Sequence, residues 1–217
     1  VSNDDGVRTA GRPRDTTLDG RILDAAREVY ARHGWSGFTV KAVATAAGVS
    51  RDAVGRRFDT REELLMAALT ASGFPLIETR VGQELREWLL ELATAVFDVF
   101  TRGSGRAYLR IHLDADSVPG LFAAYRNRLL EPGQRMLRDR VAAAARTERR
   151  DDLDPGAVVE DVLGPTLMLA LLHQDIGTED RSRRDSVLLH LPAIIERALA
   201  PHRSGSATVA ARDPAEP

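Results

Sequence analysis

The chain has 217 residues, 43% of them apolar, and a net charge of −2. That length suits one large domain or a small one joined to a larger one, with enough apolar material for a packed core. Cysteine is absent, which excludes a disulfide framework, a thiol nucleophile and cysteine metal ligands; no apolar run approaches the roughly 18 residues of a membrane span, and the polar opening VSNDDGVRTAGRPRD has no signal-peptide core, so a cytoplasmic location without a membrane partner is expected.

In chain order, almost everything reads as helix. Residues 1–17 are expected to form a flexible basic arm. LDGRILDAAREVYARHG (18–34) sets Leu18, Ile22, Ala25, Ala26, Val29 and Tyr30 on one stripe at helical spacing, and Gly34 ends it. TVKAVATAAG (39–48) predicts a short helix capped by Thr39 and stopped by Gly48, with Val40, Val43 and Ala44 pointing inward. Ser50 caps a second short helix that ends near Phe58. TREELL (60–65) is a capping box, with Thr60 at the N-cap and Glu63 three residues on, and it opens a helix to about Ser72. GFP (73–75) breaks the pattern and marks a domain boundary.

Longer amphipathic stretches follow at about 80–101, 105–114, 118–147, 155–175 and 184–199. Pro132–Gly133 predicts a kink or split in the third of these, and Gly164–Pro165 a kink in the fourth. Asp154 caps the 155–175 helix, with Pro155 at its first position. The small, polar tail (201–217) is expected to be disordered. With no convincing strand, the class is all-α: about nine helices, in a domain over 18–72 and a second over 73–200.

Charge is unevenly spread. Residues 7–61 hold eleven Lys/Arg against six Asp/Glu, and the remainder nineteen against twenty-six. A basic end on an acidic body is the footprint of a nucleic-acid-binding module attached to something else, with chance clustering as the alternative. A helix-turn-helix needs two short helices set by a tight turn, with a small residue where they meet. Ala47-Gly48-Val49 supplies the turn, and Ala44 and Ala47 permit close approach. Val49, Val54 and Phe58 have the spacing to pack inward. Asp52, Ala53, Arg56 and Arg57 are left facing out, with Arg51 and Gly55 beside them. Arginine suits bidentate hydrogen bonding to guanine and capture of phosphate. Gly55 is the awkward residue, since a helix-interior glycine costs roughly 1 kcal/mol relative to alanine.

Residues 18–69 resemble the N-terminal domain of the TetR family of transcriptional repressors. The matching positions are Ile22-Leu23, Ala25-Ala26, Gly34, Phe38-Thr39-Val40, Val43-Ala44, Ala46 through Ser50, Phe58 and Glu62-Glu63-Leu64. The resemblance implies that the third helix enters the major groove, with DNA contacts on Arg51, Asp52, Ala53, Gly55, Arg56 and Arg57 after the capping Ser50. It further implies phosphate contacts by Thr39 and Lys41 at the start of the second helix. Arg61 stands where the family usually has Lys, and Arg can still hold a phosphate. Gly55 stands where the family prefers an aromatic that reaches the DNA backbone. Ala53 replaces a usual Thr or Ser and can touch only a thymine methyl. Asp52 can accept from cytosine N4 or pair with Arg56 at i,i+4, and the intrahelical pair is favoured because phosphates repel a lone carboxylate. Ahead of this domain, Arg12 and Arg14 flank Pro13 in a short extended arm. Such an arm can read the minor groove or serve as a solubilising leader.

For the acidic region, the resemblance implies small-molecule binding and dimerisation through the last two long helices, about 155–175 and 184–199. Their apolar content exceeds what one buried face needs, which suits a four-helix seam between two copies. Candidate pocket residues are Trp88, Leu92, Phe97, His112, Phe122, Tyr125 and Met168, although aromatics and Met at helical spacing are more often plain core. No His pair has ligand spacing, so no metal and no cofactor are expected. The resulting reading is a homodimeric repressor that binds a pseudo-palindromic double-stranded DNA operator and is released by a small-molecule effector. A helical ligand-binding or interaction protein with weakened DNA binding is the alternative. An all-α enzyme would need convergent acid/base or metal groups, and no such spacing occurs.

Overall fold

The apolar periodicity is realised as helix. A computed structural model of the chain describes residues 16–72, 80, 82–101, 105–174, 176 and 180–201, and among these it holds eleven α-helices, one π-helical turn and no strand. The nine expected helical stretches are all represented, and two of them are subdivided. Pro132 cannot donate a backbone hydrogen bond and its ring crowds the carbonyl four residues back. The 118–147 stretch accordingly breaks into α7 (Pro119–Tyr125), a π turn (Arg126–Leu130) and α8 (Glu131–Thr147). Pro192 acts similarly on the last stretch, which becomes α10 (Arg181–Leu188) and α11 (Leu191–Ala198). The expected kink at Gly164–Pro165 does not interrupt α9 (Pro155–Leu172), where both residues lie on the exposed side of the helix.

The helices form two compact units, Val1–Phe74 with Gly103–Leu129, and Pro75–Arg102 with Leu130–Pro217. The expected GFP break (73–75), the tail from 202 onward and the arm residues Arg12 and Arg14 lie outside the described residues. No local pattern announces that the chain returns to the first unit after α5 (Leu85–Thr101).

In the first unit, α1 (Thr16–Gly37) is the central element, packing against α2 (Val40–Ala47), α4 (Arg61–Ser72) and α6 (Gly105–Leu113). Ile22, Ala25, Ala26, Val29 and Tyr30 are buried as the stripe predicts, and Leu18 is half-buried. Gly34 kinks α1 rather than ending it, with φ 62° and ψ −170°, a combination open to glycine almost alone. Arg27 Nη1 donates to the Ala68 carbonyl at 2.7 Å and the Tyr108 hydroxyl donates to the Leu69 carbonyl at 2.8 Å. Both bonds reach carbonyls near the end of α4, and that of Leu69 is among the last four, which have no donor within the helix.

In the second unit, α9 is the centre, against α5, α8 and α11. Asp154 caps it, accepting from Gly156 N at 2.7 Å and Ala157 N at 3.1 Å. Helix α5 buries Leu85, Trp88, Leu89, Leu92, Ala93, Val96, Phe97 and Phe100 at three- and four-residue spacing. Arg184 holds Asp98 with two parallel 2.8 Å bonds, tying α10 to α5. Glu148 Oε1 accepts from Leu85 N at 2.7 Å, capping α5 from beyond the end of α8. Helix α9 also corrects an expectation: its 18 residues, at a mean hydropathy of 1.4, are long and apolar enough to cross a membrane by length and composition. Glu160 and Asp161 sit within it, and one side of it packs against α5, α8 and α11.

Candidate nucleic-acid interface

The site begins with two caps and one glycine. Thr39 Oγ1 accepts from Ala42 N at 3.1 Å and starts α2. Gly48 ends α2 at φ 66°, while Val49 N donates to the Ala44 carbonyl at 3.0 Å. This left-handed turn is the one a glycine makes without strain. Ser50 Oγ then accepts from Ala53 N at 3.1 Å and starts α3 (Arg51–Gly55). Helix, left-handed turn and capped helix follow within sixteen residues, the local geometry of a helix-turn-helix.

Helix α3 is shorter than the sequence suggests. It ends at Gly55 rather than near Phe58, and Arg56 is its C-cap. Gly55 is therefore the last residue of the helix instead of its middle. It is exposed, and a methyl group built on it would meet nothing within 4 Å. Val54 is fully buried, while Val49 and Phe58 are half-buried. Ala53, expected to face outward, is buried at 8% exposure, because the turn brings its methyl group against the unit.

The outward residues are Lys41, Arg51, Asp52, Gly55 and Arg56. Among the described residues, Lys41, Arg51 and Arg56 make no ion pair, and neither does Asp52 with Arg56 at i,i+4. Arg57 behaves differently. Its Nε pairs with Asp19 of α1 and its Nη1 donates to the Ala53 carbonyl at 3.0 Å. Those bonds fold it back against its own unit.

Helix α4 opens with its expected capping box, slightly displaced. Glu63 N donates to Thr60 Oγ1 at 3.0 Å, and the returning Glu63 carboxylate accepts from Asp59 N at 2.9 Å. Arg61, at the first position of α4, lies over the Trp35 ring with Cζ 4.0 Å from the centroid. Sequence reasoning missed Trp35, whose only signal is an aromatic next to the Gly34 kink.

The expected pocket residues divide between the units. Trp88, Leu92 and Phe97 are core residues of α5, and Met168 is 57% exposed on α9. His112, Phe122 and Tyr125 form an aromatic cluster in the first unit, the imidazole meeting the two rings edge-on at 5.4 and 5.5 Å. Burial lowers the His112 pKa from 6.5. Burial first, and then Tyr108, push Tyr125 up to about 12. Two polar groups of the second unit also escaped sequence reading. Arg140 lies over the Trp88 ring at 5.5 Å, its Nε buried and without a hydrogen-bond partner among the described residues. Thr166 is fully buried and its hydroxyl is likewise unpartnered.

Comparison with known proteins agrees with the local geometry. The family model "Bacterial regulatory proteins, tetR family" matches residues 22–68. The chain is 33% identical over 73 residues to the HTH-type transcriptional repressor AcnR of Corynebacterium efficiens, a match spanning 34% of this chain and 38% of that protein. It is 39% identical over 69 residues to the HTH-type transcriptional regulator SrpR of Pseudomonas putida, spanning 32% of each. These matches thus cover only about a third of each relative's length. Beyond the matched region the likeness is one of fold. A TetR-like transcriptional regulator from Rhodococcus sp. RHA1 superposes with a TM-score of 0.63 over 88% of this chain and all of that one, at 17% identity. Residues 22–68 are accordingly a domain of the tetR-family type, carried on an all-helical chain whose fold is similar to that of TetR-like regulators.

Proposed function

We propose that this chain is a ligand-responsive transcriptional repressor that binds a pseudo-palindromic operator as a homodimer. The observation that carries the reading is the uncommitted cationic surface of α2 and α3. Lys41, Arg51 and Arg56 face solvent without ion-pair partners among the described residues, beside two helix starts capped by Thr39 and Ser50. Arginines on a short helix entering the major groove read guanine edges, while exposed helix-end amides and lysines take phosphates. Arg61 at the start of α4 adds a phosphate contact. Arg12 and Arg14 supply an arm for the minor groove. In this reading Ala53 and Arg57 support α3 from behind and do not read bases.

Two copies are needed because a five-residue helix covers only part of a site, and dimers gain specificity by reading two half-sites one turn apart. The apolar residues left exposed on α9 support a dimer seam there. The effector belongs in the second unit, where the buried, unpartnered Thr166 hydroxyl and Arg140 Nε beside Trp88 are groups that a polar ligand would satisfy. An effector favouring a conformation with low operator affinity would release the repressor by population shift. Action in the cytoplasm, and regulation in place of catalysis, belong to the same proposal.

Selection of bound sequences from a random DNA pool tests it. A recovered palindrome with half-sites about one helical turn apart, bound with a steep salt dependence, is the expected result. Equal binding to all sequences would overturn specific repression and favour a helical ligand-binding or interaction protein with weakened DNA binding, which the bare Gly55 position also suits.

A further inference from the structure

We infer that Trp35 is a positioning residue for phosphate binding: its indole holds the Arg61 guanidinium at the start of α4 in the orientation that a DNA phosphate requires. The inference rests on the DNA-binding reading of the same surface. Arg61 is at the first position of α4, its side chain 41% exposed, and its only ion pair is a loose one to Glu62 at 3.7 Å among the described residues. An exposed pair of that kind fixes little. The Trp35 ring, 4.0 Å from Cζ, is what locates the group. Stacking uses the flat face of a guanidinium, while its N–H donors lie in the plane and stay available to phosphate oxygens. A positioned arginine loses less side-chain entropy on binding than a freely rotating one.

Trp35 is itself anchored. Its ring stacks on Phe38 at 6.0 Å and 24°, and Phe38 is fully buried edge-on to Tyr30. Its backbone N–H donates to Asp114 Oδ2 at 2.9 Å, just beyond α6. The left-handed Gly34 immediately before it turns the chain so that the indole leaves the α1 axis. Phe38 adjoins Thr39, the cap of α2, so the same elbow sets both phosphate-facing ends. Tryptophan offers the strongest ring for a cation, and only a planar cation uses it fully.

The test has two arms. The first uses the full chain without DNA, in a Trp88→Phe background so that Trp35 is the sole tryptophan. Arg61→Gln should shift and brighten or quench the Trp35 emission, and Arg61→Lys should produce most of the same change although it keeps the charge. An unchanged spectrum in both variants overturns the stack, whether or not the protein binds DNA. The second arm measures binding of a 30-base-pair duplex recovered from the random pool, at several salt concentrations. Pre-ordering each arginine is worth a factor of about 2 to 12, so Trp35→Leu should weaken binding by a dimer roughly 4- to 140-fold. Arg61→Gln should flatten the salt slope by about 1.8 for the two phosphates, and Trp35→Leu, which keeps the charge, by less. Trp35→Phe should restore most of the affinity, and Trp35→Leu should add nothing in an Arg61→Gln background. A Trp35→Leu variant that keeps the wild-type affinity, or that weakens binding equally without Arg61, overturns the role. Failure of the unsubstituted chain to select or bind any duplex would sink the DNA-binding reading and leave the first arm standing.

Discussion

Arg57 is paired with Asp19 across 38 residues of sequence, joining the end of the α3 turn to the start of α1. Both side chains are largely screened from solvent, at 19% and 29% exposure, and Arg57 also donates to the Ala53 carbonyl. The two adjacent arginines therefore have different work. Arg57→Ala should lower stability by about 1 kcal/mol, a shift of about 2–4 °C in Tm for a chain of this size, with little change in base preference. Arg56→Ala should leave Tm unchanged and cost about 1–3 kcal/mol of DNA affinity. Thermal melts and competition binding with mutated half-sites separate the two. Equal loss of base preference in both variants would mean that Arg57 leaves Asp19 to reach DNA.

Gly34 is required by its conformation, and the end of the Arg110 side chain crowds it as well. At φ 62° and ψ −170°, a side chain is strained wherever it points. A Cβ there would also lie 2.6 Å from Arg110 Nε and 2.8 Å from its Cζ. Gly34→Ala should destabilise the chain by about 2 kcal/mol or more. Arg110→Ala should recover only part of that, since the backbone strain stays. Denaturant midpoints of the single and double variants measure the split, and full rescue would show that crowding alone matters.

Gly55 has neither constraint. Its position at the end of α3, exposed and with open space around it, makes Gly55→Ala neutral or stabilising by up to about 1 kcal/mol. Gly55→Tyr should strengthen DNA binding modestly by adding a phosphate contact. A marked loss of affinity would show instead that the bare glycine lets the backbone close on the groove.

What the sequence made legible follows from range. Thr39, Gly48, Ser50, Thr60 and Asp154 act on neighbours two to four residues away, and each is found capping or ending its helix. The α1 and α5 stripes are likewise local periodicities. The burial of Ala53, the Arg57–Asp19 pair, the Trp35–Arg61 stack and the left-handed Gly34 depend on residues 20 to 80 positions away. No window around them carries that information. The end of α3 at Gly55 is obscured differently: Arg56 and Arg57 are good helix formers, and the tertiary partners of Arg57 and the turn geometry stop the helix there. Residue type alone does not distinguish the α5 core from the His112 cluster in the other unit.

His112 gives stability a pH dependence whose sign follows from its surroundings. Partial desolvation beside Phe122 and Tyr125 lowers its pKa below 6.5 although the residue stays exposed, so the folded chain weakly favours the neutral imidazole. Between the lowered value and 6.5 the unfolded chain binds more protons. The contribution is complete above about pH 6.5 and is lost as pH falls toward the folded value. Denaturant midpoints at about pH 7.5 and pH 5.5 should therefore differ less in His112→Gln than in the unsubstituted chain. An equal difference in both would place the acid sensitivity elsewhere.

The proposed dimer makes the last prediction. On α9, Pro165, Met168 and Leu172 follow one another at three- and four-residue spacing, so they share a face, and all three are exposed, Met168 at 57% and Leu172 at 70%. The opposite side of the helix, including Val159, Thr166 and Ala170, is already buried within the unit. An apolar stripe of this kind is stable in water when a second copy covers it. Met168→Glu with Leu172→Glu should leave the fold intact, because neither side chain is part of the core, and should convert the dimer to monomer in sedimentation equilibrium. The monomer should bind a single half-site weakly and lose the steep affinity for the full palindrome. If the double variant stays dimeric, the seam lies on another face, and α9 is exposed in the assembled repressor.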